Sequence, residues 1–459
     1  MSVLLVLLYA VCLLLLTMYL RFRWQYRHVL ATAAKLPCPP TLPIIGNALF
    51  FFGDITGCFK QLQYVGERSH VYSLFRPFLG NSIISSPVHI WKKYRRLMNP
   101  VMHPSNVEHF LPVFNEVSRK LTEQFSVSSP PSDRTDEIFE MAVNGSTGSI
   151  FSRKLFYDNI KEIKFGIDSV GKLLILRLFK FWLHFDWLFK LLYWKELKES
   201  FKIRDKCMDV ISQEWKDGAT IKKGVLPGEN QNTERLSGLN LVDVMFENLP
   251  IVLDDHDWMD EFMTIITGAS DTTVSALSFL LFTIGHHPEV QERMFMEIQE
   301  VMGDLDRDVT AADVNAMKYL DQVILESIRL HGNIVLIMRR ATNDTKIDSC
   351  TLPAGSRVLI ILHAMGWNKE RFPNPEQFLP ERFCPEQKKL RHNYSFLPFS
   401  AGPRNCIGKA YAMVILKTVL VHILRRLRVK SHTKMSDIVY ELRAIMYSKT
   451  PLLVTFQPR

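Results

Sequence analysis

Cys406 is the residue whose setting most clearly predicts chemistry. It lies in residues 399–408, a loop-like stretch directly before a largely apolar run at 410–427. Gly402 and Gly408 permit tight turns and let a flat ligand approach the backbone closely. The N–H groups and the dipole at a helix start favour a thiolate, and a buried thiolate needs a strong partner such as iron. The competing interpretation is an inert, buried cysteine.

A second group of chemical residues lies within a predicted helix at residues 254–287, which has acids at its start and Pro288 after its end. Its middle reads Gly-Ala-Ser-Asp-Thr-Thr at 268–273, a costly composition for a helix interior. This composition makes sense if a ligand lies against the backbone, with Thr272 binding a polar diatomic or water and Asp271 relaying protons. The alternative is a core helix rich in serine and threonine.

Two shorter motifs are weak when taken alone. Trp91 and Arg95 share one face of a predicted helix, because residues four apart are neighbours on a helix. Glu326 and Arg329 are three apart on another predicted helix, residues 320–330. The first pair is also typical of a basic amphipathic helix, and the second of a surface ion pair.

The overall composition limits the classes of partner. Of 459 residues, 47% are hydrophobic and 22% are charged, which is typical of a globular protein. The net charge of +9 would suit nucleic acid, but the sequence has no zinc-finger or RNA-binding signature. We therefore expect no nucleic-acid partner, and a membrane surface or an acidic redox partner instead. The seven cysteines form no C-x-x-C pair, which favours a reducing compartment over a disulfide framework or a structural zinc site.

The N-terminal region predicts a membrane anchor. Residues 1–20 carry no charged side chain and are long enough, as a helix, to span the hydrocarbon core of a bilayer. The basic flank and proline-rich hinge at 21–47 place everything after the anchor in the cytosol by the positive-inside rule. A cleaved signal peptide is the alternative, but the sequence lacks a basic segment before the apolar run. Residues 48–459 then form the main domain.

The spacing F-x-x-G-x-R-x-C-x-G at residues 399–408 resembles the haem-binding signature of the cytochrome P450 superfamily. W-x-x-x-R, the small-x-D-T helix, E-x-x-R and P-E-R-F at 380–383 precede it in that family's order. The chain looks most like the microsomal fatty-acid ω-hydroxylase branch, family 4-like, and its insect relatives. The resemblance implies a mainly α fold with small β-sheets (α+β), a triangular prism of helices around a buried haem b, preceded by an N-terminal transmembrane helix. It makes residues 48–459 the haem-thiolate catalytic domain.

The same resemblance gives each site residue an expected role. Cys406 would be the axial thiolate ligand of the iron, and Asp271 and Thr272 the acid–alcohol pair that delivers protons. A buried structural ion cluster would join Glu326, Arg329 and Arg382. The other residues expected to hold the haem are Phe399, Gly402, Arg404, Trp91, Arg95 and Arg339.

The resemblance also implies an activity and a set of partners. A haem-thiolate monooxygenase would insert one oxygen atom from O2 into a lipophilic substrate, which would be a fatty acid, a hormone-like lipid or a xenobiotic. Electrons would come from NADPH through cytochrome P450 reductase, with cytochrome b5 as a further donor, at the endoplasmic reticulum membrane. One alternative is a haem-thiolate isomerase or dehydratase that needs no reductase. Another is a truncated, non-catalytic haem-binding membrane protein, because the chain is shorter between residues 87 and 91 than the family pattern.

The sequence departs from the family pattern at two places that affect the site. Gly268 stands where the branch usually has the glutamate that esterifies a haem methyl, so we expect no covalent haem ester. Gly332 and Val335 stand where prolines usually follow the E-x-x-R helix, which weakens a prediction of ω-selectivity.

Several local structures are also predicted. Residues 70–75 and 81–86 are expected to pair as strands, and 113–125 to form an amphipathic helix. Residues 173–194 predict a buried helical core, with an apolar lid that dips into the bilayer as the alternative. Residues 222–238 predict a mobile polar loop.

Overall fold

The structure, a computed structural model, has a mainly helical backbone with short strands. It describes residues 3–25, 27, 31, 67–68, 76–126, 130–151, 160–224, 241, 244, 255–304, 306–347 and 350–459. The α-helices within these ranges are Val3–Gln25 (α1), Arg76–Leu79 (α2), Val88–Val101 (α3), Pro104–Val107 (α4), Leu111–Ser126 (α5), Thr135–Ile150 (α6), Ile160–Phe179 (α7), Asp186–Leu192 (α8), Trp194–Gly224 (α9), Asp255–Ile284 (α10), Pro288–Met302 (α11), Ala311–Ala316 (α12), Lys318–His331 (α13), Leu362–Gly366 (α14), Pro385–Lys389 (α15) and Lys409–Arg426 (α16). The strands are Glu67–Arg68 (β1), Leu336–Arg340 (β2), Thr345–Ile347 (β3), Cys350–Leu352 (β4), Arg357–Ile361 (β5), Leu427–Ser431 (β6), Tyr440–Leu442 (β7), Met446–Ser448 (β8) and Val454–Pro458 (β9).

The chain divides into two compact units, of which the smaller comprises Met1–Ser69 and Met338–Ile360. Its strands belong to a sheet of order β1-β2-β5 and to the separate antiparallel pair β3-β4. In the first sheet β1 runs antiparallel to β2, with Arg68 opposite Arg339.

The larger unit comprises His70–Ile337 and Ile361–Arg459. Its centre is a stack in which α10 packs on α6, α6 on α5, and α5 on α16. Small residues of α6 make this close packing possible. A Cβ atom at Gly145 would lie 3.1 Å from Ile415 of α16, and one at Gly148 would lie 2.9 Å from Val113 of α5. Phe114 of α5 and Tyr411 of α16 complete the contact edge to face, with ring centroids 5.1 Å apart.

The long predicted helix at 254–287 is present as α10. Its segment Asp260–Ile284 is apolar and long enough to cross a membrane. Because most of this segment is buried inside the protein, it is a core helix of the larger unit. The helix predicted at 113–125 is also confirmed, within α5.

The prediction of a strand at 81–86 is wrong, because these residues form turns. The Ser82 carbonyl accepts hydrogen bonds from Ser85 N at 3.0 Å, Ser86 N at 2.8 Å and Ser86 Oγ at 2.6 Å. Serine hydroxyls that bond nearby backbone offer the chain an alternative to a strand ladder. The partner strand predicted at 70–75 lies outside the described residues.

The prediction of a buried core at 173–194 is only partly correct. Leu173, Leu174, Leu183, Phe189 and Leu197 do form a small buried cluster. The chain, however, breaks into short helices here, and one apolar side has no covering element among the described residues. This surface, which we call the apolar flank, exposes 43–67% of Phe179, Trp182, Phe185, Trp187, Leu191, Leu192 and Trp194. Of the predicted loop at 222–238, residues 222–224 belong to α9, and the rest lies outside the described residues.

Candidate active site

The cysteine loop is closed by its own backbone. Cys406 N donates to Phe399 O at 2.9 Å, and Asn405 N donates to Gly402 O at 3.0 Å. Ser400 and Gly402 have φ values of 59° and 79°, in the left-handed region that favours glycine. The loop then enters α16, whose N-cap is Gly408. The sequence prediction of a glycine-containing loop that delivers Cys406 to a helix start is therefore confirmed.

The Cys406 thiol has dense protein around it, yet its side chain is exposed. Burial raises the pKa of the thiol, while the Gly408 N–H, Arg95 and Lys409 oppose that rise. Burial by neighbouring atoms and exposure to solvent are compatible when a side chain lines a cavity. Since only the thiolate is a strong metal ligand, the three opposing groups favour the form that binds iron.

Trp91, Arg95 and Arg404 all lie at this loop. Arg95 of α3 donates to Asn405 twice, from Nη1 to the carbonyl at 2.8 Å and from Nη2 to Oδ1 at 2.7 Å. The guanidinium of Arg404 lies over the Trp91 ring, 4.3 Å from its centroid. It also donates to the Ser86 carbonyl at 3.2 Å, which ties the loop to the turn before α3. The structure thus brings together three residues that the sequence predicted separately.

The middle of α10 has an open face. Residues 267–269 and Thr272 are only half-buried, although the helix on both sides of them is buried. A Cβ atom added at Gly268 would meet no atom within 4 Å, so space lies in front of this glycine. The Thr272 hydroxyl donates to Gly268 O at 2.8 Å, as expected for a threonine that bonds back along its helix.

Helix α6 contacts both α10, near its open face, and the first turns of α16, which follow the cysteine loop. Ser146 of α6 lies 3.1 Å from Ser270 of α10, oxygen to oxygen. Its neighbour Gly145 packs against Tyr411 and Ile415, in the first turns after Cys406. Helices α10 and α16 also contact each other directly.

Asp271 is buried and is hydrogen-bonded to a residue that sequence reasoning missed. The Tyr447 hydroxyl of β8 donates to Asp271 Oδ1. Burial raises the pKa of Asp271 to about 6, although the Tyr447 hydrogen bond opposes the rise. No sequence signal marks Tyr447, because a lone tyrosine in a short C-terminal strand is typical of ordinary packing.

Glu326, Arg329 and Arg382 meet as the sequence predicted. Glu326 accepts two bonds from Arg329 at 2.7 and 2.8 Å and lies 3.3 Å from Arg382 Nε. The Glu326 and Arg329 side chains are fully buried, and Leu379 N adds a fourth contact to Glu326 at 2.9 Å. Arg329 also donates to Gly366 O at 2.9 Å. The cluster joins α13 to the segment around Pro380–Phe383.

Arg339 lies in the smaller unit, on β2, and is 6% exposed. Its Nη1 donates to Met338 O at 3.1 Å. Its expected contact with the cofactor stays a prediction, as do the roles of Phe399 and Gly402 beyond shaping their loop.

The residues of the larger unit fit a flat iron cofactor. Cys406 offers one soft anionic ligand with an exposed side chain, and the space at Gly268 leaves room in front of a helix backbone. Arg95 and Arg404 supply positive charge at the cysteine loop, which would suit the carboxylates of a tetrapyrrole. A small side chain at 268, rather than a glutamate, leaves no group there to esterify the ring.

A mainly helical protein with such a site belongs to the haem-thiolate class. Comparison with known families shows the same, since residues 58–456 match the cytochrome P450 family, and the chain belongs to that family. It is therefore a cytochrome P450 monooxygenase that uses haem with a cysteine thiolate as iron ligand.

Similar curated proteins include family 4 members from insects and mammals. Cytochrome P450 4c21 of Blattella germanica is 29% identical, and the alignment covers 93% of each chain. Cytochrome P450 4V2 of Mus musculus is 27% identical over 91% of this chain and 87% of its own. The first alignment spans 476 positions, whereas 93% of this chain is about 427 residues, so about 50 positions have no residue here. The shortening predicted between residues 87 and 91 would account for some of these positions. Its place in the chain stays a prediction.

Proposed function

We propose that this monooxygenase oxidises a lipophilic substrate, a fatty acid, hormone-like lipid or xenobiotic, at the endoplasmic reticulum membrane. One observation carries the proposal. The exposed Cys406 thiol and the open face of α10 lie in the same packed unit, where α10 contacts the helix that follows Cys406. The open face of α10 has only the small residues Gly268 and Ala269 and the hydroxyls of Thr267 and Thr272, which suits a substrate held more by shape than by charge.

Cys406 would hold the iron of haem b, and the surrounding side chains would fix the ring. Arg95 and Arg404, with Trp91 of α3, would bind its carboxylates, and the same role for Arg339 of the smaller unit stays a prediction. When bound, the haem supplies O2 activation and oxygen insertion into a C–H bond, which an electron-donating thiolate favours. The left-handed turn at Ser400 and Gly402 fixes the position of the sulfur.

Asp271 and Thr272 would deliver protons at the open face of α10. The Asp271 pKa of about 6 allows the group to take and give a proton near neutral pH, as a general acid requires. The Thr272 hydroxyl, already oriented by its bond to Gly268 O, can accept from and donate to a small polar guest. These roles favour a monooxygenase over an isomerase or dehydratase, which needs no such proton supply.

Two features of the chain support attachment to a membrane. The 23-residue helix α1 is about 35 Å long at 1.5 Å per residue, enough for the hydrocarbon core. Arginines lie at its C-terminal end, at 21 and 23, and just beyond it at 27, so the positive-inside rule would place the catalytic domain in the cytosol. The apolar flank exposes tryptophan and leucine side chains that would rest in the membrane interface.

An acidic reductase would dock beside the cysteine loop. Lys92, Lys93 and Arg96 of α3 are exposed, and so is Lys409 directly after Gly408. Positive charge on this side would steer an acidic partner such as NADPH-cytochrome P450 reductase or cytochrome b5.

The test is the carbon monoxide difference spectrum of the full chain with Cys406→Ser, using Cys384→Ser as the matched control. We expect the long-wavelength Soret band of a thiolate ligand in the wild type and in Cys384→Ser, and its loss in Cys406→Ser. NADPH with reductase should then support product formation from a fatty acid such as dodecanoic acid. A haem-loaded wild type without that band contradicts the proposal, and hydroperoxide turnover without NADPH would favour the isomerase.

A further inference from the structure

Strands β7 and β8 pair antiparallel and form the C-terminal hairpin, which is joined by hydrogen bonds to the turn of α10 that holds Asp271 and Thr272. Met446 N donates to Asn333 O at 2.9 Å, and Ser275 Oγ donates to Met446 O at 2.6 Å. Asn333 Nδ2 in turn donates to Thr272 O at 3.1 Å. These bonds hold Met446 against α10. The next residue, Tyr447, donates its hydroxyl hydrogen to the Asp271 carboxyl.

A polar pocket of about 220 Å³ has Tyr447 in its lining. We call it the hairpin pocket. Asp271 does not line it but is hydrogen-bonded to Tyr447, so the tyrosine links the buried acid with this space. A polar pocket of this size has room for several water molecules. Its charged lining consists of Asp133, Asp136, Lys164, Asp168 and Arg443.

The charged groups around Tyr447 come from α6, from α7 and from the turn between β7 and β8. Asp168 of α7 accepts from Arg443 Nη1 at 2.5 Å, and the Arg443 guanidinium lies 4.6 Å from the centre of the Tyr447 ring. Lys164 of α7 pairs with Asp136 of α6. The groups that act on the charge of Asp271 from these elements are Tyr447, Asp168, Arg443 and Lys164.

We propose that Tyr447 is a positioning residue for Asp271, and that Asp271 regains its proton through the Tyr447 hydroxyl from water in the hairpin pocket. This inference rests on the proposed function, because it assigns the proton source of the acid–alcohol pair. It adds to that pair a residue from the last strands of the chain.

The proton balance needs no charged tyrosine. After Asp271 has given up its proton, its carboxylate takes the Tyr447 hydroxyl proton while a pocket water gives one to the Tyr447 oxygen. The water is left as hydroxide, which bulk solvent neutralises through the open pocket. Burial raises the Tyr447 pKa well above its ordinary value, so the two transfers are coupled and tyrosinate does not accumulate.

The first test measures the titration of Asp271 without relying on turnover. The thermal midpoint of the full chain is followed from pH 4 to 8 for wild type and Asp271→Asn, each with and without Tyr447→Phe. In the Tyr447 background, the difference between the two should titrate near pH 6. In the Tyr447→Phe background it should titrate about one pH unit higher, because the hydrogen bond that stabilises the carboxylate is gone. An unchanged midpoint overturns the proposal.

The second test measures delivery of protons in the reductase-supported reaction with dodecanoic acid as probe. Hydrogen peroxide released per NADPH consumed should rise at least about twofold in Tyr447→Phe, since slow proton supply lets reduced oxygen escape. Tyr440→Phe is the matched control, because Tyr440 lies on the same hairpin but bonds His331 at 2.9 Å. A ratio equal to that of the wild type overturns the proton route even if the Asp271 midpoint moves.

The carbon monoxide spectrum separates this inference from the proposed function. If the wild type lacks the thiolate band, the proposed function fails, while the thermal experiment still decides whether Tyr447 controls Asp271. If every variant keeps the band, a change in peroxide release reports on Tyr447 and not on loss of the haem site.

Discussion

At the scale of single residues, Glu326 has the setting most sensitive to substitution. Its fully buried carboxylate faces two guanidinium groups, those of Arg329 and Arg382. Glu326→Gln leaves both cations without their compensating charge, so we expect a loss of about 3–5 kcal/mol in the free energy of unfolding. Urea denaturation followed by tryptophan fluorescence measures it.

Glu381→Gln is the matched control for this prediction. Glu381 pairs with Arg293, but both side chains are about half exposed, at 50% and 56%. A surface pair contributes about 0–1 kcal/mol, so the control should be nearly silent. Equal losses of unfolding free energy in the two variants would show that the buried cluster contributes no more to stability than a surface ion pair.

The residue scale also shows where sequence reasoning succeeds and fails. Cys406, Arg95 and Glu326 were found because fixed local spacing carries their chemistry. Tyr447 was missed because its partner Asp271 is 176 positions away, and no local pattern records such a pairing. Asn333 was missed for the same reason, since its bond to Thr272 O spans 61 positions.

At the scale of elements, the apolar flank predicts membrane contact independent of α1. Trp187 and Leu191 of α8 are 67% and 65% exposed, so we expect a variant lacking residues 1–25 still to bind membranes through them. Replacing both with serine removes apolar burial of about 1.5–3 kcal/mol per side chain from the membrane-bound state. Co-sedimentation with neutral phosphatidylcholine vesicles should therefore fall at least about tenfold.

The control for the apolar flank is a pair of exposed apolar residues elsewhere. Leu390 and Val439 are 78% and 56% exposed but lie outside that surface. Their double replacement by serine should leave vesicle binding unchanged. Similar losses in both double variants would mean that binding is not localised to the flank.

Elements were predicted well where one face repeats and poorly where side chains compete with the backbone. The helices α5, α10 and α13 follow from apolar spacing over many residues. The strand expected at 81–86 had the apolar content of a strand, but its serines bond their own backbone. The outer side of 173–194 looked like core because composition cannot tell a buried face from an uncovered one.

At the scale of the whole molecule, the order of motifs predicted the family and its cofactor, and both are confirmed. The packing of α6 between α5 and α10 was beyond sequence reasoning. It depends on Gly145 and Gly148, whose role appears only once the facing helices are known. The contact between the C-terminal hairpin and α10 could not be predicted either, because hydrogen bonds between distant segments produce no periodic pattern in the sequence.

Buried histidines make the whole fold sensitive to acid. Burial lowers the pKa of His331 to about 3 and those of His363 and His422 to about 4. The unfolded chain binds protons at these sites near pH 6.5, so the stability they give is full above that pH and lost as the pH falls towards 4. Each site should cost about 2 kcal/mol between pH 7 and 5. Asp271 opposes them, since its raised pKa gives stability at low pH that is lost as the pH rises through about 6.

His422→Gln isolates one of these contributions. His422 Nε2 lies 2.8 Å from Asn115 Oδ1, and a glutamine amide can donate to the same oxygen without titrating. We expect the difference in unfolding free energy between pH 7 and pH 5 to shrink by about 2 kcal/mol, while stability at pH 7 changes little. Urea denaturation at both pH values measures it, with the exposed His89→Gln as control. A pH dependence identical to that of the wild type would mean that His422 is protonated in the folded protein, and that the buried network at Asn115 accommodates its charge.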